Sequence, residues 1–341
     1  MIRVGVLGCA HYSHARTYAR ALQGLSGCEL VAVADPSPAL AQALSEDLGV
    51  PALDPEALVA ADGLDAVIVC STTDRHLAAI RLAASAGLHV LCEKPLATTV
   101  EDGRAAIAAC EAAGVQLHVA FVSRFDPLLV ELRDRVRRGD VGDVRVIAGQ
   151  SPGQIPPREP APGRPAESVS WFVDPVRSGG GAVMDHSVHV LDAIRFVTGL
   201  EVESVSTEMG SLIDPDLPVE DCASMLLAME GGAVACIDPS WSGPKGTDWI
   251  VRVVGSEGLV SMDDVKQCLP VIRRDRTGAL AHYGADMDEA AVRHFVDCVR
   301  SGEMREPAAS GEDGLRVLEV VAAAYESAAA GQPAAIAPLR G

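Results

Sequence analysis

The sequence is poor in aromatic residues and has no pair of cysteines at a metal-binding spacing. Aromatic residues make up 4% of the 341 residues, and the nine cysteines occur singly, with no CxxC pair. The absence of paired spacings and the odd number of cysteines both argue against a disulfide framework. Scattered free thiols are typical of the reducing cytoplasm, so we expect a cytoplasmic protein.

Positive charge and long apolar runs are also scarce. Lys and Arg number 28 against 47 Asp and Glu, which gives a formal net charge of −19. Nucleic acids and anionic membranes bind basic patches, so we expect neither as a partner. No apolar run approaches the roughly 20 residues that span a bilayer. The opening "MIRVGVLGC" begins a strand-like pattern and lacks the layout of a signal peptide.

The first 120 residues alternate short β-branched runs with stretches rich in Ala and Leu. Apolar runs that are not interrupted by polar residues are typical of parallel strands covered on both faces. Their alternation with helices predicts a doubly wound parallel sheet. The predicted strands are "IRVGVLG", "ELVAVAD", "AVIVC", "HVLCE" and "QLHVAF".

After about residue 122 the pattern changes. The stretch 151–165 contains six prolines, which predicts a stiff loop. The segments that follow alternate apolar and polar residues, as expected of an antiparallel sheet with one covered face, and two helices end the chain. A chain of 341 residues exceeds the usual size of one core. We therefore predict an α/β domain over 1–121 and an α+β domain over 122–341.

The stretch "VGVLGCAHYSHA" places a strand, a glycine and a helix in the order that binds the pyrophosphate of a dinucleotide. The N-terminus of a helix offers free N–H groups and a partial positive charge. Of the three glycines in the usual G-x-G-x-x-G pattern, only Gly8 is present, since Ala10 and Ser13 replace the others. A tight turn without a ligand therefore remains an alternative.

Asp35 ends the second predicted strand, a little over 20 residues after this turn. A carboxylate at this position can accept both ribose hydroxyls of NAD. It would also repel the 2′-phosphate of NADP, so NAD is favoured over NADP as the cofactor. The alternative role for Asp35 is a helix N-cap, because "DPSPAL" opens a helix.

The "EKP" triplet sets Glu93 and Lys94 at the end of a predicted parallel strand, followed by Pro95. Doubly wound sheets bind ligands at the carboxyl ends of their strands. Lys94 would then lie over the nicotinamide end of a dinucleotide, where a lysine can hydrogen-bond a reacting hydroxyl and exchange protons. A solvated Glu–Lys turn is the alternative.

A second cluster of polar residues lies in "SGGGAVMDHSVHVLDAIRFVTG", where three glycines precede a helix. Asp185 and His189 are four residues apart and share a helix face. Such a pair can handle a proton, with the imidazole as base and the carboxylate orienting it. The alternatives are a core histidine and a metal site, because His186 and His189 also have ligand spacing. We predict no metal, since no third cluster of ligands accompanies them.

These segments together resemble the glucose–fructose oxidoreductase and inositol dehydrogenase (Gfo/Idh/MocA) family over essentially the whole chain. The resemblance implies an N-terminal Rossmann domain and a C-terminal domain with an open antiparallel sheet. It includes "VGVLGCA", "LVAVADPSP", "DAVIVCSTTDRHLAAIRLAASAGLHVLCEKPLA", "FVSRFDP", "WFVDPVRSGGGAVMDHSVHVLD", "HFVDCVRSG" and "GLRVLEVVAAAYESAAAG".

The resemblance implies roles for individual residues. Lys94, Asp185 and His189 would be catalytic. Separately from the resemblance, we expect Arg124, Trp171 and His186 to contact the substrate. Core packing is an equally open role for Trp171. The residues expected to bind the cofactor are Gly8, Ala10, His11, Asp35, Ser71, Thr72, Thr73, His76, Glu93 and Lys94.

The expected activity is NAD-dependent, reversible oxidation of a secondary alcohol on a polyol or sugar-like substrate. His189, oriented by Asp185, would take the hydroxyl proton while Lys94 holds the oxygen. Two alternatives keep the same fold: a glycosidase or epimerase that recycles NAD, and a non-catalytic NAD-binding sensor. A metal-dependent hydrolase or isomerase is a weaker third. We also expect a homodimer or homotetramer, formed through the sheet of the second domain.

Overall fold

A computed structural model describes residues 1–157, 159–160, 164–243, 249–263, 268–273, 278–282 and 286–338. The chain forms two compact units, each built from three segments. The first comprises Met1–Val122, Pro156–Gly179 and Asp286–Leu315, and the second comprises Ser123–Ile155, Gly180–Ala285 and Arg316–Gly341. Two segments of the range 122–341 thus belong to the first unit, Pro156–Gly179 and Asp286–Leu315. The second of them joins it because Val292 and Phe295 pack into the core of that unit.

Residues 1–122 follow the predicted alternation of strands and helices. The elements are β1 (Ile2–Leu7), α1 (Tyr12–Gly24), β2 (Cys28–Ala34), α2 (Pro38–Leu48), β3 (Ala52–Leu53), α3 (Pro55–Val59), β4 (Ala66–Val69), α4 (His76–Ser85), β5 (His89–Cys92), α5 (Val100–Ala113) and β6 (Leu117–Val119).

The rest of the chain completes the first unit and builds the second. The elements are α6 (Pro127–Arg137), β7 (Val144–Pro152), α7 (Pro175–Ser178), α8 (Val188–Thr198), β8 (Val202–Gly210), β9 (Cys222–Met229), β10 (Val234–Ser240), β11 (Ile250–Gly255), β12 (Gly258–Asp263), β13 (Cys268–Arg273), β14 (Gly278–His282), α9 (Met287–Ser301), β15 (Ala309–Ser310), α10 (Gly311–Ala330) and β16 (Ala334–Ala335).

The first unit holds a seven-stranded sheet in the order β15-β6-β5-β4-β1-β2-β3. Neighbouring strands are parallel except β15, which runs antiparallel to β6. Every residue of β4 is buried, as expected of a strand covered on both faces. The predicted doubly wound sheet is confirmed, and α9 packs against α1 beside it.

The second unit holds a nine-stranded sheet in the order β14-β13-β12-β11-β7-β10-β9-β8-β16. The sheet is mostly antiparallel, as predicted, but β10 runs parallel to β7. Burial alternates strictly along β9, because α8 and its neighbours cover only one face. The other face carries exposed apolar side chains, among them Leu226, which is 57% exposed. Among the described residues, no helix is long and apolar enough to cross a membrane.

Candidate active site

Gly8 ends β1 in a conformation that favours glycine. Its φ is +88°, and a Cβ atom at this position would lie 2.5 Å from the backbone nitrogen of Ser71. The Gly8 N–H donates to the Ala34 carbonyl at 2.7 Å, and the His11 N–H donates to the Cys70 carbonyl at 2.9 Å. The turn is therefore fixed by both neighbouring strands, and α1 starts directly after it, with the unpaired N–H groups of its first turn.

Asp35 lies at the end of β2, and its carboxylate is tied to the glycine turn. Oδ2 accepts the Cys9 N–H at 2.6 Å and Oδ1 accepts the Ser37 N–H at 2.8 Å. Burial raises the pKa of Asp35, although these backbone donors and Arg75 act in the opposite direction. Each carboxylate oxygen has a further lone pair, so the group can still accept hydroxyls. The residue that caps α2 is Ser37.

A cavity of about 900 Å³ opens at this edge of the first unit's sheet. This is a volume typical of cofactor sites. Of the predicted cofactor residues, the structure brings Gly8, Ala10, Asp35, Ser71 and Thr72 to its wall. The sequence interpretation missed the remaining lining residues, which are Leu7, Pro36, Ser37, Leu40, Pro55, Glu56, Arg75, Ala78, Ala79, Leu82, Glu167 and Arg177.

The glycine turn and Asp35 fit a dinucleotide. The close approach of Gly8 to Ser71 leaves no room for a side chain. The N–H groups at the start of a helix such as α1 are donors suited to a phosphate. Asp35 supplies a carboxylate on the same cavity wall, where a ribose would need an acceptor. The cavity can therefore hold a phosphate and a ribose side by side.

Glu93 is a buried carboxylate directly beside Lys94. It is 1% exposed, and its oxygens accept the Tyr18 hydroxyl at 2.5 Å and the Lys94 backbone N–H at 2.9 Å. His14 Nδ1 lies 2.7 Å from Glu93 Oε1. Burial alone would raise the pKa of Glu93, but the nearby His14 outweighs it and holds that pKa far below its usual range. Conversely, burial would lower the pKa of His14, and Glu93 raises it instead.

Lys94 itself is 7% exposed and follows β5, as predicted. The segment after it is anchored by His76, whose Nδ1 donates to the Pro95 carbonyl at 2.9 Å. Burial lowers the pKa of His76, although Glu93 and nearby backbone groups act in the opposite direction. His76, Thr73 and Glu93 are among the predicted cofactor residues, yet each is at most 2% exposed. Their described contacts support the end of the strand, and their direct contact with a cofactor stays a prediction.

Trp171 packs inside the first unit. It is 4% exposed, stacks on Phe172 at 3.9 Å between ring centroids, and donates from Nε1 to the Ala10 carbonyl at 3.3 Å. His11 lies against both rings and stacks on His14. The described contacts of Trp171 match its core-packing alternative, because the indole supports the glycine turn from behind. Its predicted contact with substrate is untested.

In the second unit the helix that starts after the glycine run begins with a π-helical turn, Val183–Ser187. Asp185 Oδ2 accepts the Trp241 indole N–H at 3.1 Å and lies 3.3 Å from His186 Nε2. His186 Nδ1 in turn lies 3.2 Å from the Ser151 hydroxyl. His189 is half-buried, with its ring centroid 6.4 Å from that of His186. His186 thus lies near both Asp185 and His189, and the orientation of His189 by Asp185 stays a prediction.

Glu220 fixes the start of this helix and was not expected from the sequence. Its Oε1 accepts the backbone N–H groups of Gly181 and Val183, each at 2.9 Å, and the Tyr325 hydroxyl at 2.8 Å. A Cβ atom on Gly181 would collide with the Glu220 carbonyl. The glycine run is therefore needed for close packing in the second unit. Burial raises the pKa of Glu220, even though its three hydrogen bonds oppose the shift.

Arg124 lies in a buried ion pair in the second unit. Its Nε and Nη2 donate to Asp192 at 2.9 and 2.6 Å, and both side chains are buried. The guanidinium also lies 5.0 Å from the centre of the Phe196 ring. This bidentate pair joins the segment before α6 to α8. The predicted contact of Arg124 with substrate is not tested, and the contacts described here are structural.

The fold and the cavity define an oxidoreductase with a dinucleotide-binding domain, and the comparisons name its family. Residues 2–121 match the model described as "Oxidoreductase family, NAD-binding Rossmann fold". Residues 129–261 match the "GFO/IDH/MocA C-terminal domain". The chain belongs to the Gfo/Idh/MocA family, as its motifs predicted.

Known proteins match nearly the whole chain. It is 30% identical to myo-inositol 2-dehydrogenase of Thermotoga maritima over 338 residues, which covers 96% of each. It is also 30% identical to D-xylose 1-dehydrogenase (NADP+) 2 of Haloferax volcanii, covering 89% of this chain and 90% of that protein. The solved structure of aldose-aldose oxidoreductase from Caulobacter crescentus in complex with glycerol has a TM-score of 0.84 and 26% identity, covering 98% of this chain and 99% of that one.

Proposed function

We propose that this protein is an NAD-dependent dehydrogenase that oxidises a secondary alcohol of a polyol or sugar-like substrate. The observation that carries the proposal is the Asp35 carboxylate, held by the Cys9 N–H on the wall of a cavity that begins at Gly8. Two further facts support it: the match to an NAD-binding Rossmann domain and the inositol and xylose dehydrogenases among the relatives. The described cysteines are free thiols, which suits the cytoplasm proposed for this enzyme.

NAD is the proposed cofactor rather than NADP. Asp35 is held in place by two backbone N–H groups, and a carboxylate there repels a 2′-phosphate. One relative is named for NADP, so the proposed preference for NAD rests on Asp35 and not on family membership. When bound, NAD supplies the hydride acceptor. Gly8 gives the pyrophosphate access to the backbone, and Asp35 binds the ribose hydroxyls.

The proposed chemistry assigns one role to each of the predicted catalytic side chains. Lys94 hydrogen-bonds the substrate oxygen as negative charge develops on it, and the Glu93 carboxylate beside it fixes the backbone of the strand end. His189 accepts the hydroxyl proton. Asp185, which accepts the Trp241 N–H, is the carboxylate proposed to orient the His189 imidazole. His186 is the proposed substrate contact beside them.

The test is a screen of polyols, inositols and aldoses with NAD and with NADP, recording formation of reduced nicotinamide. We expect turnover of a polyol or sugar with NAD. Lys94→Ala and His189→Ala should each lower kcat by about 10²–10⁴-fold, the usual contribution of a positioned acid or base. Arg81→Ala, an exposed change in α4, is the control and should leave kcat unchanged. Near-normal kcat in either active-site variant would contradict its assigned role.

Analysis of the sugar products, added to the same screen, separates a second candidate function. The name aldose-aldose oxidoreductase, carried by a structural relative, favours oxidation of one sugar coupled to reduction of another, and we propose that the cofactor would then be recycled. In that case products form from a sugar pair without accumulation of free NADH. The initial hydride step would use the same residues, so the variants would lose activity in both assays.

We also propose that the protein is a homodimer or homotetramer that associates through the uncovered face of the second unit's sheet. Val146 pairs with Val234 across β7 and β10, and Cys236 pairs with Leu226 across β10 and β9. All four side chains are exposed, and contiguous apolar patches of this kind mark protein interfaces. Light scattering after size exclusion should show an oligomer, and Leu226→Lys should dissociate it. A monomeric wild-type protein would contradict this.

A further inference from the structure

The loop after β2 contains few hydrogen-bond donors, and protein carboxylates already occupy them. Its sequence is Asp35-Pro36-Ser37-Pro38. Proline has no N–H, so between residues 36 and 38 the only donors are the N–H and the hydroxyl of Ser37. The Ser37 N–H donates to Asp35 Oδ1 at 2.8 Å, and its hydroxyl donates to Glu167 Oε2 at 2.6 Å. Two carboxylates are therefore bound to one serine.

Glu167 comes to this loop from a segment 130 residues further along the chain, within the same compact unit. It lines the cavity together with Asp35 and Ser37. Its side chain is exposed, and its negative charge acts on Asp35, adding slightly to the rise of the Asp35 pKa that burial causes. Glu167 is thus a second acid at the ribose end of the proposed NAD site.

The charges around the cavity leave an excess of acid. Asp35, Glu56 and Glu167 line it, against Arg75 and Arg177. At Asp35 the two signs oppose each other, because the charge of Arg75 lowers the pKa of Asp35 and the charge of Glu167 raises it. A phosphate group at the 2′ position would carry close to two negative charges next to Asp35 and would need donors from the adjacent loop. The hydroxyl it would use is bound to Glu167.

We propose that Glu167 is a second determinant of cofactor choice, which excludes the 2′-phosphate of NADP by repulsion and by holding the Ser37 hydroxyl. The inference rests on the proposed function, because it requires the dinucleotide to bind at Gly8 and Asp35. NAD has a 2′-hydroxyl in place of the charged 2′-phosphate. Its binding should therefore depend on Asp35 and should not change when Glu167 is replaced.

The expected effect is moderate because Glu167 is exposed and water screens its charge. Removal of one exposed negative charge near a doubly charged group is expected to change affinity by about 5–10-fold at low salt. The gain should decrease as salt is raised, since the Debye length falls to about 8 Å at 0.15 M.

The experiment is calorimetric titration of the full-length protein with NAD and NADP, for wild type, Glu167→Gln and Glu56→Gln. Glu167→Gln should tighten NADP binding by about 5–10-fold and leave the Kd of NAD unchanged. Glu56→Gln removes the same charge from the same cavity without the contact to Ser37, so it should have a clearly smaller effect on NADP. An unchanged ratio of NADP to NAD affinity in Glu167→Gln would overturn the inference, and so would equal gains in the two variants.

Asp35→Asn separates this inference from the proposed function. If NAD binds and Asp35→Asn weakens it, the proposed site is correct, and the Glu167 variant decides the inference alone. If wild type does not bind NAD, or Asp35→Asn binds it unchanged, the proposed site and the inference both fail. Because Glu167 is exposed, its substitution should not disturb folding.

Discussion

Each of the two compact units contains a buried glutamate that anchors a segment with proposed catalytic residues, and the two carboxyl groups respond to burial in opposite ways. Glu93 is 1% exposed and has a pKa far below the usual value. Glu220 is 9% exposed and has a raised pKa. Both accept a tyrosine hydroxyl and backbone N–H groups. What distinguishes them is the imidazole of His14.

The comparison shows that neutral donors do not compensate for the desolvation of Glu220, whereas a counter-charge does so for Glu93. Three hydrogen bonds to Glu220 leave the net shift upward, in the direction of burial. One histidine at 2.7 Å, aided by the positive charges of His11 and Lys94, reverses the shift at Glu93. Glu93 therefore keeps its negative charge beside Lys94 at neutral pH. Glu220 supports the start of the helix in the second unit and needs only to accept hydrogen bonds there.

The largest effect is expected when the charge of Glu93 is removed. Glu93→Gln breaks a buried ion pair and should destabilise the protein by about 2 kcal/mol, less than for a fully buried pair because His14 is 35% exposed. Glu220→Gln keeps an acceptor oxygen and should cost less than about 1 kcal/mol. Thermal unfolding at pH 6 measures both.

A double-mutant cycle with His14→Gln tests the cause. If the ion pair accounts for the difference, His14→Gln should add little to the destabilisation already present in Glu93→Gln. Additive losses would show that the two side chains stabilise the protein independently, and the contrast between Glu93 and Glu220 would then need another explanation.

A smaller, pH-dependent effect should distinguish the same two positions. A lowered Glu93 pKa means that its contribution is present above the usual 4.5 and is lost as pH falls below it. A raised His14 pKa means that its contribution is present below the usual 6.5 and is lost as pH rises through the folded value. The deficit of Glu93→Gln should therefore be largest between about pH 4.5 and 6.5.

Glu220 should show the opposite trend. Its raised pKa makes its contribution complete below the usual 4.5 and reduces it as pH rises through the folded value. Relative to wild type, Glu220→Gln should thus gain stability between pH 4.5 and 7. Melting temperatures measured across this range for both variants give the comparison, and parallel curves for the two would refute it.

The two tyrosines that bind these carboxylates give a further comparison, with losses smaller than that of Glu93→Gln. Tyr18→Phe removes a 2.5 Å hydrogen bond to a charged carboxylate and should cost about 1.5 kcal/mol, whereas Tyr325→Phe should cost about 1 kcal/mol. Both measurements use the same unfolding assay. A larger loss for Tyr325→Phe would mean that Glu220 is the more strongly charged of the two.

The first unit was predictable from sequence because each of its elements carries a local signal. The strands are β-branched, and helices such as α2 and α5 end at glycines in the left-handed region. Gly8 and Asp35 could be placed by their order along the chain, since a strand, a turn and a helix are neighbours in space. Ala78 and Leu82 are one turn apart on α4, so the same reasoning would have found them at the cavity.

Other features depend on residues that are distant in sequence. Nothing local to Glu167 indicates that it reaches Ser37, and nothing in the pattern of β10 distinguishes a parallel from an antiparallel neighbour. The two residues of β15 are too few to show a period. An arginine such as Arg124 is a common ligand-binding residue in sequence, and only the fold shows that Asp192 pairs with its charge. The local sequence predicts helices and strands. Contacts between residues that are distant in sequence decide which polar side chains remain able to bind a ligand.

The last segment of the first unit has a consequence for the order in which the protein matures. Val292, Phe295 and Val296 of α9 belong to the core that also contains Tyr18 and Leu22. During translation these residues leave the ribosome well after the parallel strands of the Rossmann sheet, because most of the second unit lies between them in sequence. An emerging Rossmann sheet therefore exposes part of its apolar surface while more than a hundred further residues are added, which makes the nascent chain a natural client for chaperones.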